Sequence, residues 1–389
     1  MGRGATLMEF ELPERYAAIR EEARGVAAGI ADVAVEADGL SDRIHPDVLA
    51  ALRSSNLTEL MVPKVHGGRF DDVDPLAVCV AREGLMGTSS HLDSLFALQG
   101  IGSYAITRGG SAEQQARWLP AVGRAEVLAA LALTEPVAGS DLKSMTTTVT
   151  ETADGLVVNG EKAFISNAGH ASFYTVLAKE GEGFSVVLVP ADAEGITFGP
   201  TPPIIAPHVL GSVTLDNVVV DPANRLGEPG RGFDLVLSTL AVFRVSVAGA
   251  SIGLAEAALR EATRHANERV QFGRPLARLG AVAALLADSW TDLEQARLLT
   301  YRSAARARQD PLSALPHSSM AKLAASEAVG RIVDRCVQVM GRWGLVADSV
   351  VERAYRTARP MRVYEGASEV LRLGIAKALG DEYLDGVEV

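Results

Sequence analysis

Two cysteines, Cys79 and Cys336, are all that the 389 residues contain, with no C-x-x-C and no metal-ligand spacing. The thiols offer no disulfide framework; both are expected to be buried and free, in a reducing compartment, and no metal is expected. A G-x-G-x-x-G after a strand is also missing, which argues against a nicotinamide enzyme. No apolar run approaches the length of a membrane span, so no membrane partner is expected. The opening Met1-Gly2-Arg3-Gly4 carries no signal-peptide apolar region, so a cytoplasmic location is the default expectation. Positive charge is in deficit, with a formal net charge of −11, which argues against a nucleic-acid partner and favours solubility. Internal repeats are absent, as are low-complexity segments beyond a richness in alanine.

The length calls for two or three domains, and 48% hydrophobic with 22% charged residues is the balance of a globular protein. Residues 10–125 read as helices: Leu12, Tyr16, Ile19, Ala23 and Val26 recur at helical spacing, and Pro46 suits the first turn of a short helix. Residues 61–68 break the pattern as a loop, with His66 expected in solvent. Asp74-Pro75 starts a further helix. Leu92 to Arg108 is nearly uncharged and predicts a buried helix. Ser111 to Gln114 reads as an N-cap and first turn of a helix ending near Leu119-Pro120. From about residue 126 the period changes to short β-branched runs at 156–160, 173–178, 184–189 and 213–220, separated by Asp154-Gly155, Asn159-Gly160 and Glu182-Gly183 turns. Pro200, Pro202, Pro203 and Pro207 mark an irregular loop. After residue 233 come long helices at 234–268, 281–308 and 317–340 and a last one from Ser368 to Leu379. The expectation is an α+β chain: a helical domain over 1–125, an antiparallel β domain over 126–233 and a four-helix bundle over 234–389. The acidic tail after Gly380 is expected to be loosely held.

Two stretches stand out. Leu131 to Asp141 ends an apolar run in Thr134-Glu135-Pro136, followed by Gly139-Ser140-Asp141. On residue types this is either an ordinary strand end with a turn, or a loop whose glycine, hydroxyls and backbone N–H groups grip a flat heteroatom-rich ring or a phosphate. Tyr364-Glu365-Gly366 stands at the entrance of the last helix. Glu365 is either a helix-start glutamate complementing the dipole or a general base, its pKa raised by apolar surroundings and its glycine neighbour admitting a substrate. Arg244, on an apolar helix, is either a buried arginine paired with a carboxylate or a ligand contact.

The spelling of these stretches resembles the acyl-CoA dehydrogenase family. Leu133-Thr134-Glu135-Pro136-x-Ala138-Gly139-Ser140-Asp141 is similar to its flavin-binding signature. Val363 to Val370 is similar to its catalytic segment, and Glu268 to Pro275 to its flavin-adenine segment, in the family's order along nearly the whole chain. The resemblance implies an enzyme that uses bound FAD to make an α,β-double bond in an acyl thioester. Glu365 would take the α-proton, the flavin would accept the β-hydride, and the Glu365 N–H would polarise the thioester carbonyl. It further implies FAD contacts at Leu133, Thr134, Gly139, Ser140, Phe164, Ser166, Gln338, Gly341, Ala367 and Glu369. Arg269 and Phe272 would reach the cofactor of a neighbouring subunit, so a homo-oligomer, a dimer of dimers, is implied. Ser140, Arg244 and Gly366 would border the substrate. An alternative base position of the family is occupied here by Phe243, which cannot serve.

Several positions depart from the family's usual spelling. Phe164-Ile165-Ser166-Asn167 stands for Trp-Ile-Thr-Asn, which puts electron exit to an electron-transfer flavoprotein in question. Gly341-Arg342-Trp343-Gly344 inserts bulk near the cofactor, Gly280 stands for a glutamine, and Ala367 for a threonine. Ile205 to His208 replaces a segment near the thioester's nucleotide end, leaving open whether the carrier is coenzyme A or a carrier protein. Two rival readings remain: an acyl-thioester oxidase or flavin monooxygenase on the same fold, and a non-catalytic flavin-binding homologue.

Overall fold

The computed structural model describes residues 12–383. Six helices come first: α1 (Glu14–Gly29), α2 (Ala31–Asp38), α3 (Pro46–Ser55), α4 (Pro75–Met86), α5 (Ser90–Gly109) and α6 (Ala112–Gly123). Their ends follow the sequence cues. The Asp74 carboxylate accepts from Leu76 N and Ala77 N, with Pro75 at the first helical position. Ser111 and Gln114 form a capping box. α6 does not stop at Pro120, as the sequence suggested, but runs through it to Gly123. The missing N–H costs one helical bond, while the extra turn buries Val122 and lets Arg124 N bond the Pro120 carbonyl. α5 is buried on nearly every face, and its one buried amide is satisfied: Gln99 donates to the Val122 and Val127 carbonyls and accepts from Ala129 N. Two short helical turns occupy Leu57–Met61 and Lys64–His66, the second inside the expected 61–68 loop, and His66 is half-buried and meets Gln115 at 3.2 Å.

The middle segment is one eight-stranded sheet: β1 (Ala129–Ala132), β2 (Thr148–Thr152), β3 (Gly155–Ser166), β4 (Phe173–Glu180), β5 (Gly183–Pro190), β6 (Ile196–Pro200), β7 (Leu210–Val220) and β8 (Arg225–Leu226). The path is β6-β7-β3-β2-β4-β5-β8, with β1 on β4. It is not wholly antiparallel. β1 runs parallel to β4, and β2 meets β4 in parallel at one residue pair. The sequence reading also missed β2, β6 and β8, which are short or polar, and offered β1 only as one of two readings, a strand end at Leu131. β3 is irregular between Lys162 and Ile165, where its register against β7 shifts; this re-aims the side chains there.

The rest is helical: α7 (Gly232–Glu268), a small hairpin of β9 (Val270–Gln271) and β10 (Arg274–Pro275), then α8 (Gly280–Gln309), α9 (Leu315–Met340), α10 (Val350–Met361) and α11 (Ser368–Tyr383). Beyond the expected four long helices there is a fifth, α10. α11 runs past Leu379 to Tyr383; the rest of the acidic tail and Met1 to Gly4 lie outside the described residues. α7 holds an 18-residue window of mean hydropathy 1.8, long and apolar enough to cross a membrane, contrary to the sequence reading. That window is 78% buried inside the protein, which is how a core helix meets the same criterion. α4 crosses α7 closely: a Cβ on Gly249 would fall 2.3 Å from the Cys79 carbonyl, and one on Gly253 2.2 Å from that of Glu83. Cys79 and Cys336 are buried free thiols, as expected.

Candidate active site

Glu365 sits in the turn between α10 and α11 with φ +52°, followed by Gly366 at φ +106°. A left-handed glutamate is uncommon. At Gly366 a side chain is strained, since a Cβ would also lie 3.0 Å from Leu371 Cδ2 and 3.1 Å from Arg244 Nη2. Glu365 Oε2 is shielded from solvent and has no hydrogen-bond partner. Burial raises the pKa of this carboxyl, against the pull of Arg82, Lys322 and Arg244. None of those cations bonds it. Arg244 Nε donates to the Glu365 carbonyl oxygen at 2.9 Å, and its Nη1 to Ser319 Oγ at 3.1 Å. Lys322 Nζ donates to the Gly366 carbonyl at 2.7 Å. Arg82 is held by Asp93 in a two-point pair, Nε–Oδ1 2.9 Å and Nη2–Oδ2 2.6 Å, with both side chains at 5% exposure or less, and it bonds Ser246 on α7. Arg244 therefore spends its donors on a carbonyl and a hydroxyl, not on the carboxylate a buried arginine suggested.

The Leu133–Asp141 loop is organised from beneath by Glu135. Its fully buried carboxylate accepts from Thr146 N (2.6 Å), Thr146 Oγ1 (2.8 Å), Thr147 N (2.9 Å) and Lys162 Nζ (2.9 Å). Burial alone would raise its pKa; the hydrogen bonds outweigh burial and hold it at about 2. Lys162 also donates to the Leu133 carbonyl at 3.1 Å, and Ala163 N to that of Thr134 at 2.8 Å. These bonds lay the loop along β3 beside Phe164. Two loop N–H groups expected to be open, Glu135 N and Ala138 N, are used inside the turn. Gly139 has no positive φ and open space where a Cβ would stand, so no left-handed turn requires a glycine there. Ser140 lies exposed beside it. Phe164, at φ +56° on the irregular part of β3, turns its ring outward at 53% exposure. An exposed ring on a strained backbone, next to an exposed loop of small residues, fits a flat polycyclic cofactor such as the isoalloxazine of FAD.

Ser166, at the end of β3, meets His208 Nε2 at 2.8 Å, and Ser94 of α5 approaches the same nitrogen at 3.5 Å. Burial, with His91 nearby, lowers the His208 pKa to about 4, so the ring is neutral. Ser94 follows Asp93 in α5, and Arg82, the partner of Asp93, acts on Glu365 through its charge and not through a hydrogen bond. Two groups of contacts result: the loop, Lys162 and Ala163 on β3, with Ser166 and Ser94 on His208, and separately Arg244, Ser319 and Lys322 around the Glu365–Gly366 turn. Ala367 and Glu369 follow directly at the start of α11, Glu369 exposed.

Arg269, Phe272, Gln338 and Gly341 are not brought to this place. Arg269 ends α7, 25 residues or about 37 Å of helix beyond Arg244. Phe272 tips the hairpin at φ +50° and 88% exposure. Gln338 and Gly341 close α9, roughly 28 Å of helix past Ser319. Lys322, Ser319, the Arg82–Asp93 pair and the Glu135–Lys162 pair escaped the sequence reading. Each carried one visible signal, a charged or hydroxyl side chain on an otherwise apolar stretch.

Residues 13–126 match the acyl-CoA dehydrogenase N-terminal domain, 130–218 the middle domain and 230–380 the C-terminal domain. The chain is 35% identical to cyclohexane-1-carbonyl-CoA dehydrogenase of Geobacter metallireducens over 372 residues, 93% of this chain and 95% of that protein. It is 33% identical to the mitochondrial short-chain specific acyl-CoA dehydrogenase of Mus musculus over 383 residues, 96% and 92% of the two chains. Its fold is similar to that of butyryl-CoA dehydrogenase from Megasphaera elsdenii, with a TM-score of 0.90 at 29% identity over 96% of this chain and all of the other. With three family domains in order along one chain, the protein belongs to the acyl-CoA dehydrogenase family.

Proposed function

We propose that this protein is an FAD-dependent dehydrogenase that introduces an α,β-double bond into the acyl group of a coenzyme A thioester, with Glu365 as the base. The observation that carries the reading is the Glu365 carboxyl, shielded and unpartnered at Oε2, with Arg82, Lys322 and Arg244 acting on it by charge while bonded elsewhere. A carboxylate with an open oxygen and a raised pKa is equipped to take a proton near neutral pH. Leu133 to Ser140, Phe164, Ser166, Ala367 and Glu369 would hold the flavin of the same chain. Arg269, Phe272, Gln338 and Gly341 would hold that of a neighbouring subunit in a homotetramer. Bound FAD would supply the hydride acceptor that no side chain provides. Ser140, Arg244 and Gly366 border the acyl thioester, and the Glu365 N–H assists its carbonyl. Coenzyme A is favoured over a carrier protein because the relatives named above act on coenzyme A thioesters. A cytoplasmic location and an electron-transfer flavoprotein as electron acceptor complete the proposal.

The test is an anaerobic screen. Purified protein should be yellow, release FAD on denaturation at about one per chain, and bleach when mixed with an accepted thioester. Butyryl-CoA, cyclohexane-1-carbonyl-CoA and the matching carrier-protein thioesters form the first panel. Bound FMN, or no flavin after reconstitution, would overturn the assignment. Bleaching by carrier-protein thioesters alone would overturn the choice of coenzyme A.

A further inference from the structure

The turn that carries Glu365 is held by two cations on two successive carbonyls. Arg244 Nε bonds the Glu365 oxygen at 2.9 Å and Lys322 Nζ the Gly366 oxygen at 2.7 Å. Both residues so held are left-handed, and a left-handed glutamate persists only where its surroundings over-determine it. α9 presents the clamp: Ser319, which accepts from Arg244 Nη1, lies one helical turn before Lys322. The Lys322 side chain is fully buried. Among the described residues no carboxylate lies within ion-pair distance of its ammonium; burial, with Arg244 nearby, lowers its pKa to about 8 against the pull of Glu365, Glu327 and Glu369. A buried lysine whose hydrogen bond goes to a peptide carbonyl is a costly way to fill space. An apolar side chain would fit this core better if the turn did not need the bond.

We propose that Lys322 is a positioning residue of the reaction. Its ammonium on the Gly366 carbonyl and the Arg244 guanidinium on the Glu365 carbonyl form a two-point backbone clamp that fixes the left-handed turn and aims the Glu365 carboxylate. Because both cations are spent on backbone oxygens, neither blocks Oε2. Their charge still offsets the burial of the ionised carboxylate. The inference rests on Glu365 being the base of the proposed site, while the clamp itself can be tested without any substrate.

Lys322→Met keeps the volume and removes donor and charge; Lys322→Gln keeps a donor without charge; Lys322→Arg restores both. In the purified holoprotein, amide hydrogen exchange across 364–371 should rise at least about tenfold in Lys322→Met, with the sheet and the C-terminal half of α9 unchanged. Lys322→Arg should recover most of the protection. With an accepted thioester, the same Met variant should reduce its flavin about tenfold or more slowly. Its pH midpoint should move up, because the carboxylate has lost a nearby cation. Exchange across 364–371 within about twofold of wild type in a folded Lys322→Met protein would overturn the clamp. If that variant does not fold, Lys322→Gln decides. Its uncharged amide, one bond shorter than the ammonium that holds Gly366 at 2.7 Å, should raise exchange across 364–371 about threefold or more and raise the pH midpoint; protection and midpoint both unmoved would overturn the clamp. A protein that no thioester bleaches would overturn the proposed function, while the exchange measurement still judges the clamp.

Discussion

Eight non-glycine residues take a positive φ in the described chain, and Phe164, Phe272 and Glu365 are among them. All three are residues that the sequence had already singled out. Strain of this kind persists where surrounding contacts impose it, and it gathers at sites that act. Glu365 pays no hydrogen bond at Oε2 and keeps a raised pKa, which makes it a stability liability at neutral pH. The penalty is absent below the free glutamate value of 4.5 and grows as pH rises toward the higher folded value. Glu365→Gln should therefore melt at the same temperature as wild type near pH 4 and higher at pH 8, as differential scanning calorimetry can show. A variant that melts lower at pH 8 would mean that the surrounding cations stabilise the ionised carboxylate outright. The candidate base was legible because it sits in a contiguous signature. Lys322, 43 residues away, and the Arg82–Asp93 pair, more than 270 residues away, were not, since only the packing of α9, α4 and α5 brings them near.

At the scale of elements, helix signals with a capping residue read correctly: Asp74 and Ser111 both start helices as expected. α10 was missed although Ser349 caps it by accepting from Glu352 N, because its arginines and Pro360 mask a buried face of Val351, Ala354, Ala358 and Met361. The short strands β2, β6 and β8 gave no period to read. Neither did the support under the Leu133–Asp141 loop, which depends on Glu135 meeting Lys162 across the start of the sheet at 2.9 Å with both side chains fully buried. Lys162→Met leaves that carboxylate buried without its cation and should cost about 3–5 kcal/mol, with loss of bound flavin as the loop loosens. Glu135 contributes fully above the free value of 4.5, and its contribution is lost as pH falls toward about 2. The melting curves of variant and wild type should thus converge on acidification. Curves that stay equally separated down to about pH 3 would contradict this role of the pair.

For the whole molecule, the long reach of α7 separates the Glu365 cluster from the exposed Arg269–Phe272 hairpin, so a single chain does not unite every residue that the resemblance assigned to the flavin. The α–β–α order was legible from the change in hydrophobic period, whereas the distance between the two groups of site residues appears only in the fold. If the hairpin serves a neighbouring subunit's cofactor, Arg269→Ala removes a cationic fork from a diphosphate and from an interface at once. Flavin retention and molecular mass in solution should then fall together; unchanged flavin affinity with an unchanged oligomer would contradict it. The central claim, that Glu365 takes the proton whose departure accompanies flavin reduction, is tested most directly by anaerobic stopped-flow reduction of Glu365→Gln with an accepted acyl-CoA. Glutamine keeps the shape but cannot take a proton, so the rate should drop by about 10²–10⁴ with flavin still bound. The wild-type rate should rise with pH through a midpoint above the free glutamate value of 4.5. A glutamine variant that reduces its flavin within about threefold of wild type, far short of the general-base range, would contradict the account.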